Sequence, residues 1–109
     1  MAELLRKPEA MEKAREEIIQ KIGFERSVKE SDIDILPYLQ SVVKETMRLH
    51  PAVPLLLPYK AKKDTQIFVF TIPENSQVLV NAWAIARDQN YWKNPQSFKP
   101  ERFLGSDTG

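Results

Sequence analysis

Eight prolines decide where regular structure in this 109-residue chain can start and stop. A proline lacks the N–H that a helix interior needs and pushes the residue before it out of helical geometry. It therefore suits a first helical turn and closes a helix that runs into it. Pro8 opens a predicted helix in which Met11, Ala14, Ile18 and Ile22 recur at three- and four-residue steps as one narrow apolar stripe. Gly23 is its stop signal. Glu9 with Lys13 and Glu17 with Lys21 are acid-first pairs four apart, each worth about 0.2–0.5 kcal/mol in an isolated helix. Seven acids and seven bases precede Ser31, the signature of a solvated outer face rather than a binding patch.

A polar connector, Glu30-Ser31-Asp32, leads to a second predicted helix starting near Leu36-Pro37, with Leu39, Val42, Val43, Thr46 and Met47 on its inner face. Pro51 ends it close to His50. Pro51, Pro54 and Pro58 then punctuate an extended apolar passage, Ala52 to Leu57. Gln66-Ile67-Phe68 and Phe70-Thr71-Ile72 read as short strands around a tight region, and Pro73-Glu74-Asn75-Ser76 as a turn. Gln77 to Val80 is rich in β-formers, and the alanines of Asn81 to Asp88 favour a helical turn. From Gln89 the chain is irregular, with Tyr91, Trp92, Phe98 and Phe103 spread among Asn94-Pro95 and Lys99-Pro100.

Composition removes several function classes. Sixteen basic against fifteen acidic side chains leave a formal charge of +1, which does not support a nucleic-acid surface held by bulk charge. With no cysteine, the chain has no disulfide, cysteine–zinc site, iron–sulfur cluster or thiolate nucleophile of its own. Three glycines, Gly23, Gly105 and Gly109, do not have the spacing of a phosphate-cradling loop. No run approaches the roughly 18 apolar residues of a membrane helix, and the first residues lack a secretory apolar core.

Four constellations carry candidate chemistry. Asp107-Thr108-Gly109 matches the tripeptide around an aspartic-protease carboxylate, but three residues are a weak signal and chance is the better reading. Glu30, Asp32 and Asp34 form an acidic cluster without the ligand number or turn glycine of a calcium loop, so they read as helix-start acids. His50, the single histidine, reads as a structural or hydrogen-bonding residue rather than a ligand or base. Glu45 and Arg48, three apart, are neighbours on a helix face roughly opposite the Leu39–Val43–Met47 stripe. Taken alone, they describe a surface ion pair worth about 0–1 kcal/mol.

The order of landmarks changes that last reading. Lys44-Glu45-Thr46-Met47-Arg48-Leu49-His50-Pro51 is followed by Pro54 and by Trp83-Ala84-Ile85-Ala86-Arg87-Asp88. Trp92, Pro95, Phe98 and Pro100-Glu101-Arg102-Phe103 come after. This series strongly resembles the cytochrome P-450 family of haem-thiolate monooxygenases, plant members above all. The resemblance implies a mainly α fold with a small antiparallel β-sheet, an α+β piece of the cytochrome P-450 fold. Residues 2–23 resemble the tail of the I helix and the J helix, 36–50 the K helix, and 55–80 the β-sheet region. Residues 81–88 resemble a short helix and 89–109 the approach to the meander. Glu45, Arg48 and Arg102 match the family's structural Glu-Arg-Arg triad on the proximal side of the haem. Val53, Leu55, Leu56 and Leu57 match a substrate-lining stretch, with core packing as the competing reading.

Two positions depart from the pattern. Tyr59 stands where relatives commonly carry arginine or histidine toward a haem propionate, so it offers a hydrogen bond but no positive charge. Val69 stands where relatives usually have glycine in a tight hairpin, and would be strained by on the order of 1–3 kcal/mol if φ there is positive. The resemblance implies haem in intact relatives, electrons from NADPH through a membrane-bound cytochrome reductase, and a hydrophobic small-molecule substrate in plant secondary metabolism. It also implies an endoplasmic reticulum location. No haem with thiolate ligation is expected on this chain, because the axial cysteine is absent, as are the I-helix acid–threonine pair and the membrane anchor. The chain is thus expected to be an internal piece of a plant-type enzyme, inactive alone, poorly packed and prone to aggregate. The alternative is a non-catalytic interaction module or a truncated product without independent function.

Overall fold

The computed structural model describes residues 1–105, so Asp107-Thr108-Gly109 lies outside the described residues. Helix α1 (Ala2–Arg6) is followed at once by α2 (Pro8–Lys21), with Pro8 in its first turn and Gly23, at φ +86°, just past its end. A 3-10 turn (Glu30–Ile35) leads into α3 (Pro37–Leu49), which begins at one proline and stops two residues before another. Strands β1 (Tyr59–Lys60), β2 (Thr65–Ile67), β3 (Phe70–Ile72) and β4 (Gln77–Val78) come next. Helix α4 (Ala82–Ile85) and a second 3-10 turn (Pro100–Phe103) close the described chain.

The expected single sheet is two separate antiparallel pairs, β1 with β4 and β2 with β3. Phe68, read from sequence as the end of a strand, lies instead in the two-residue loop between β2 and β3. There it holds a left-handed φ of +55°. Val69 is not among the residues with positive φ, so the strain expected at Val69 falls one position earlier, on an aromatic side chain.

The core is small and lies where α1, α2 and α3 meet the final segment: Leu4, Ala10, Ala14, Tyr38, Val42, Leu49 and Phe98, with Met11 packed against it. The apolar stripe predicted on α2 thus buries Ala14 and part of Met11, and gains Ala10. Neither acid-first pair predicted on α2 is among the ion pairs of the described residues. Lys13 pairs with Glu101 at 3.0 Å, and the Glu17 carboxylate accepts the backbone N–H groups of Tyr38 and Leu39 at 2.8 and 3.1 Å. Glu17 therefore caps the start of α3, where unpaired donors and the helix dipole favour a negative charge.

The face of α3 that turns inward is rotated from the predicted one: Val42 is buried as expected and Leu39 and Thr46 are partly buried, but the stripe centre is not. Val43 and Met47 are 47 and 66% exposed, whereas Tyr38, Ser41, Val42, Glu45, Arg48 and Leu49 are buried. Helical periodicity identifies which residues share a face; it does not say which face meets the rest of the chain.

Glu30 and Asp32 are helix-start acids as expected, in the first turn of the Glu30–Ile35 segment, and Asp32 has a second task besides. The Asp32 carboxylate accepts two hydrogen bonds from the Arg26 guanidinium, at 2.7 and 3.0 Å, and one from the Lys29 N–H at 2.8 Å. It thereby closes the loop between α2 and α3. The Arg26 bonds, then the Lys29 amide, lower its pKa from 3.8 to about 2. Because the folded value is the depressed one, the stabilising contribution is complete above about pH 4 and is lost as pH falls through the folded value. Titration of the Lys29 amide shift by NMR is therefore expected to show a transition near pH 2, and Asp32→Asn to abolish it. A transition at the usual carboxylate value would show that the Arg26 contact does not form in solution.

Candidate functional site

Glu45 is the most enclosed charged group among the described residues, at 0% exposure. It lies two turns into α3, and Arg48, three residues on, projects from the same side of the helix. Arg48 reaches back with two parallel bonds, Nε to Oε2 at 2.9 Å and Nη2 to Oε1 at 2.7 Å. Arg102, in the second 3-10 turn, donates from Nε to the same Oε1 at 3.0 Å. The backbone N–H of Lys99 adds a further bond to Oε1 at 3.0 Å. One carboxylate thus joins α3 to a segment more than fifty positions along the chain, and the three residues matched to the triad come together at it.

The guanidiniums do more than neutralise Glu45. Arg48 also donates to the carbonyls of Ala86, Pro95 and Ser97, at 2.7, 2.8 and 3.2 Å, so its five N–H groups all have acceptors. Arg102 bonds the carbonyls of Lys93, Asn94 and Ser97. These acceptors belong to the irregular stretch after α4, which has no ladder or helix to satisfy them. Two positive charges on one carboxylate leave an excess, which the ring of carbonyl dipoles accommodates. Trp92 covers the cluster, with the Arg48 and Arg102 guanidiniums 5.2 and 5.9 Å from its ring and Phe103 tilted against it at 6.0 Å.

Sequence reasoning placed Glu45 and Arg48 correctly as neighbours, but the reading of an exposed pair is corrected here, since Arg48 is 6% exposed. Phe98 and Phe103, from the irregular stretch, are buried, while Trp83 remains half exposed beneath Arg87, whose guanidinium is 4.5 Å from its ring. Three contributors went unassigned. Arg87 bonds the Leu49 carbonyl at the end of α3 and Gln96 Oε1 at 2.7 Å, the cationic C-terminal contact that a helix dipole favours. Trp92 and the Lys99 amide complete the set. Arg87 and Trp92 stood in the sequence as landmarks without an assigned task; the Lys99 amide left no signal, because its part depends on long-range placement.

The remaining predicted residues do not join this cluster. Val53, Leu55, Leu56 and Leu57 are exposed, with Leu56 at φ +54°, which overturns the core-packing reading of this passage within the described chain. Tyr59 is 57% exposed on β1, opposite Val78. His50 is in the hydrogen-bonding role expected of it, its Nε2 lying 2.9 Å from Glu3 Oε1.

A sequence profile described as Cytochrome P450 matches residues 1–108, and the chain belongs to that family. Cytochrome P450 76C2 of Arabidopsis thaliana is 61% identical over 98% of this chain and 21% of its own length. Iridoid oxidase of Catharanthus roseus is 58% identical over 95% of this chain and 20% of its own length. Geraniol 8-hydroxylase of Swertia mussotii is 51% identical, over 98% and 22% respectively. Among solved structures, a zebrafish cytochrome P450 with progesterone superposes with a TM-score of 0.87 at 40% identity, covering 94% of this chain and 24% of that one. The fold is an α+β piece of the cytochrome P450 architecture, and the chain spans about a fifth of the length of its curated relatives.

The family implies haem in an intact member. The donors here do not complete a haem-thiolate site: the chain has no cysteine, and its one imidazole is bonded to Glu3. What these residues do is hold backbone. Losing one member of a buried, hydrogen-bonded charge group costs about 3–5 kcal/mol, because the survivors are stranded without partners. Glu45→Ala is therefore expected to lower unfolding stability by about that amount in denaturant titration. Arg48→Lys should recover little of the wild-type stability, since an ammonium has no fork to bind carboxylate and carbonyls together. A loss below about 1 kcal/mol for Glu45→Ala would match a surface pair and contradict the buried geometry.

Proposed function

We propose that this chain is the Glu45–Arg48–Arg102 scaffold region of a plant haem-dependent monooxygenase that hydroxylates a hydrophobic small molecule with dioxygen and electrons from NADPH. The observation that carries the reading is the buried carboxylate with its two guanidiniums, in a chain of this family with curated relatives named as an oxidase and a hydroxylase. On this reading residues 2–23 correspond to the end of the I helix and the J helix, 36–50 to the K helix, 55–80 to the β region and 89–109 to the approach to the meander. Glu45, Arg48 and Arg102 are positioning residues: they fix α3 against the loop that follows α4, and so the wall on which the proximal side of a haem pocket is assembled.

The rest of the proposal follows from chemistry that this chain can offer. Val53, Leu55, Leu56 and Leu57 present apolar side chains suited to lining a site for a hydrophobic substrate. Tyr59 supplies a hydroxyl toward a propionate, without charge. The electron donor is a membrane-bound cytochrome reductase, and the setting is the endoplasmic reticulum. On this reading the 109 residues do not turn over on their own, because they hold no cysteine thiolate to ligate iron and favour oxygen–oxygen cleavage.

Grafting tests both halves of the proposal. The isolated chain, reduced with haem under carbon monoxide, is expected to give no thiolate-type Soret band. Cytochrome P450 76C2 carrying residues 1–108 of this chain in place of its own matching stretch is expected to give that band, and to lose it when Glu45→Ala is added. A graft without the band would overturn the reading, as would a band from the isolated chain.

A further inference from the structure

The apolar passage after α3 turns sharply and is fastened at one point. The Leu56 N–H donates to the Val53 carbonyl at 3.0 Å, which closes a tight turn over Val53-Pro54-Leu55-Leu56. Leu56 holds a left-handed φ of +54° within it, a conformation that strains any residue with a Cβ. Such strain persists only where the surroundings dictate the backbone. Among the described residues, a single hydrogen bond ties 52–57 to another element: the Trp83 N–H donates to the Pro54 carbonyl at 3.0 Å.

That donor is free because α4 begins there, and the first N–H groups of a helix have no partner inside it. The Ala82 N–H goes to the Val80 carbonyl at 2.9 Å and the Ala84 N–H to the Asn81 side chain at 3.0 Å. The Trp83 N–H is left for Pro54. The Trp83 ring lies beneath Arg87, 4.5 Å from its guanidinium, and Arg87 bonds the Leu49 carbonyl and, at 2.7 Å, Gln96 Oε1. Arg87 Nε is buried with no partner, a cost that the other contacts of the guanidinium must offset. One stacked pair thus grips the passage twice: Arg87 at the end of α3 before it, Trp83 at Pro54 within it.

We propose that Trp83 and Arg87 are positioning residues for the Val53–Leu56 turn, and that through it they set which carbon of a hydrophobic substrate is hydroxylated. The inference rests on the reading that Val53, Leu55, Leu56 and Leu57 line the substrate site, and adds that two side chains on another element control their placement. Misplacing a reacting group by about 1 Å costs up to about a hundredfold in rate, so a slight relaxation of the turn is enough to redistribute products.

Geraniol 8-hydroxylase of Swertia mussotii, carrying this chain in place of its own matching stretch, provides the test, with geraniol as the probe. Arg87→Ala and Trp83→Ala are each expected to lower the ratio of 8-hydroxylated to other oxidised geraniol at least about threefold, with the thiolate-type Soret band retained. Trp83→Phe, which keeps a ring under the guanidinium, is expected to restore the ratio. Trp83 is half exposed, so its variants decide the matter where Arg87→Ala fails to assemble. In the same grafts without geraniol, the Trp83 amide is expected to exchange slowly with deuterium, and at least about threefold faster in Arg87→Ala. Leu55→Ala, at an exposed position, tests the lining reading separately, through an expected loss of geraniol affinity in the substrate-induced Soret shift. An unchanged ratio in Trp83→Ala, beside a weakened Leu55→Ala, would overturn the positioning role and leave the lining reading standing. An unmoved Leu55→Ala would remove both. Exchange at Trp83 that Arg87→Ala does not alter would overturn the proposal even where geraniol turnover is lost.

Discussion

A carboxylate with no contact to water is stable only if its partners replace everything water did. Glu45 meets that condition through Arg48, Arg102 and the Lys99 amide, four hydrogen bonds in all. The requirement works in both directions. Desolvating Glu45 is tolerable because the guanidiniums surround it, and the guanidiniums hold their places because Glu45 fixes them. Their remaining N–H groups then collect carbonyls from Ala86 to Ser97, so a segment with almost no regular structure has a defined path. Buried ion pairs are weak evidence for net stability. Here the group supplies geometry instead: it decides where an irregular loop lies against a regular helix.

Much of this could be read in the residues, and the reasons for the exceptions are specific. Pro8, Pro37 and Pro51 mark helix ends because their effect is local, and the helices end where those residues require. The inward face of α3 was not legible. Leu39, Val43 and Met47 make the more apolar stripe, yet the polar side is buried, because the acceptors and donors that make its burial tolerable lie in a distant segment. Glu17 shows the same limit: four residues before Lys21 it looks like half of a surface pair, but its carboxylate caps a different helix. Phe68 shows another. Nothing in an aromatic residue between apolar neighbours signals a positive φ, a task that glycine ordinarily performs.

The same division runs through the functional reading. Order and spacing of landmark residues identified the family, and the structure supplies what those landmarks do physically: Trp92 roofs the charge cluster, and Arg87 bonds the end of α3. Arg48 and Arg87 both hold backbone: they fix an irregular segment against a regular helix.

The claim that Glu45 organises the chain through Arg102 is tested most directly by a double-mutant cycle on that pair, combining Glu45→Gln with Arg102→Gln and measuring unfolding free energies for all four proteins. The account predicts strong non-additivity, a coupling of more than about 1 kcal/mol across the 57 positions that separate the two residues. Additivity within about 0.5 kcal/mol, the behaviour of sites that do not touch, would contradict it.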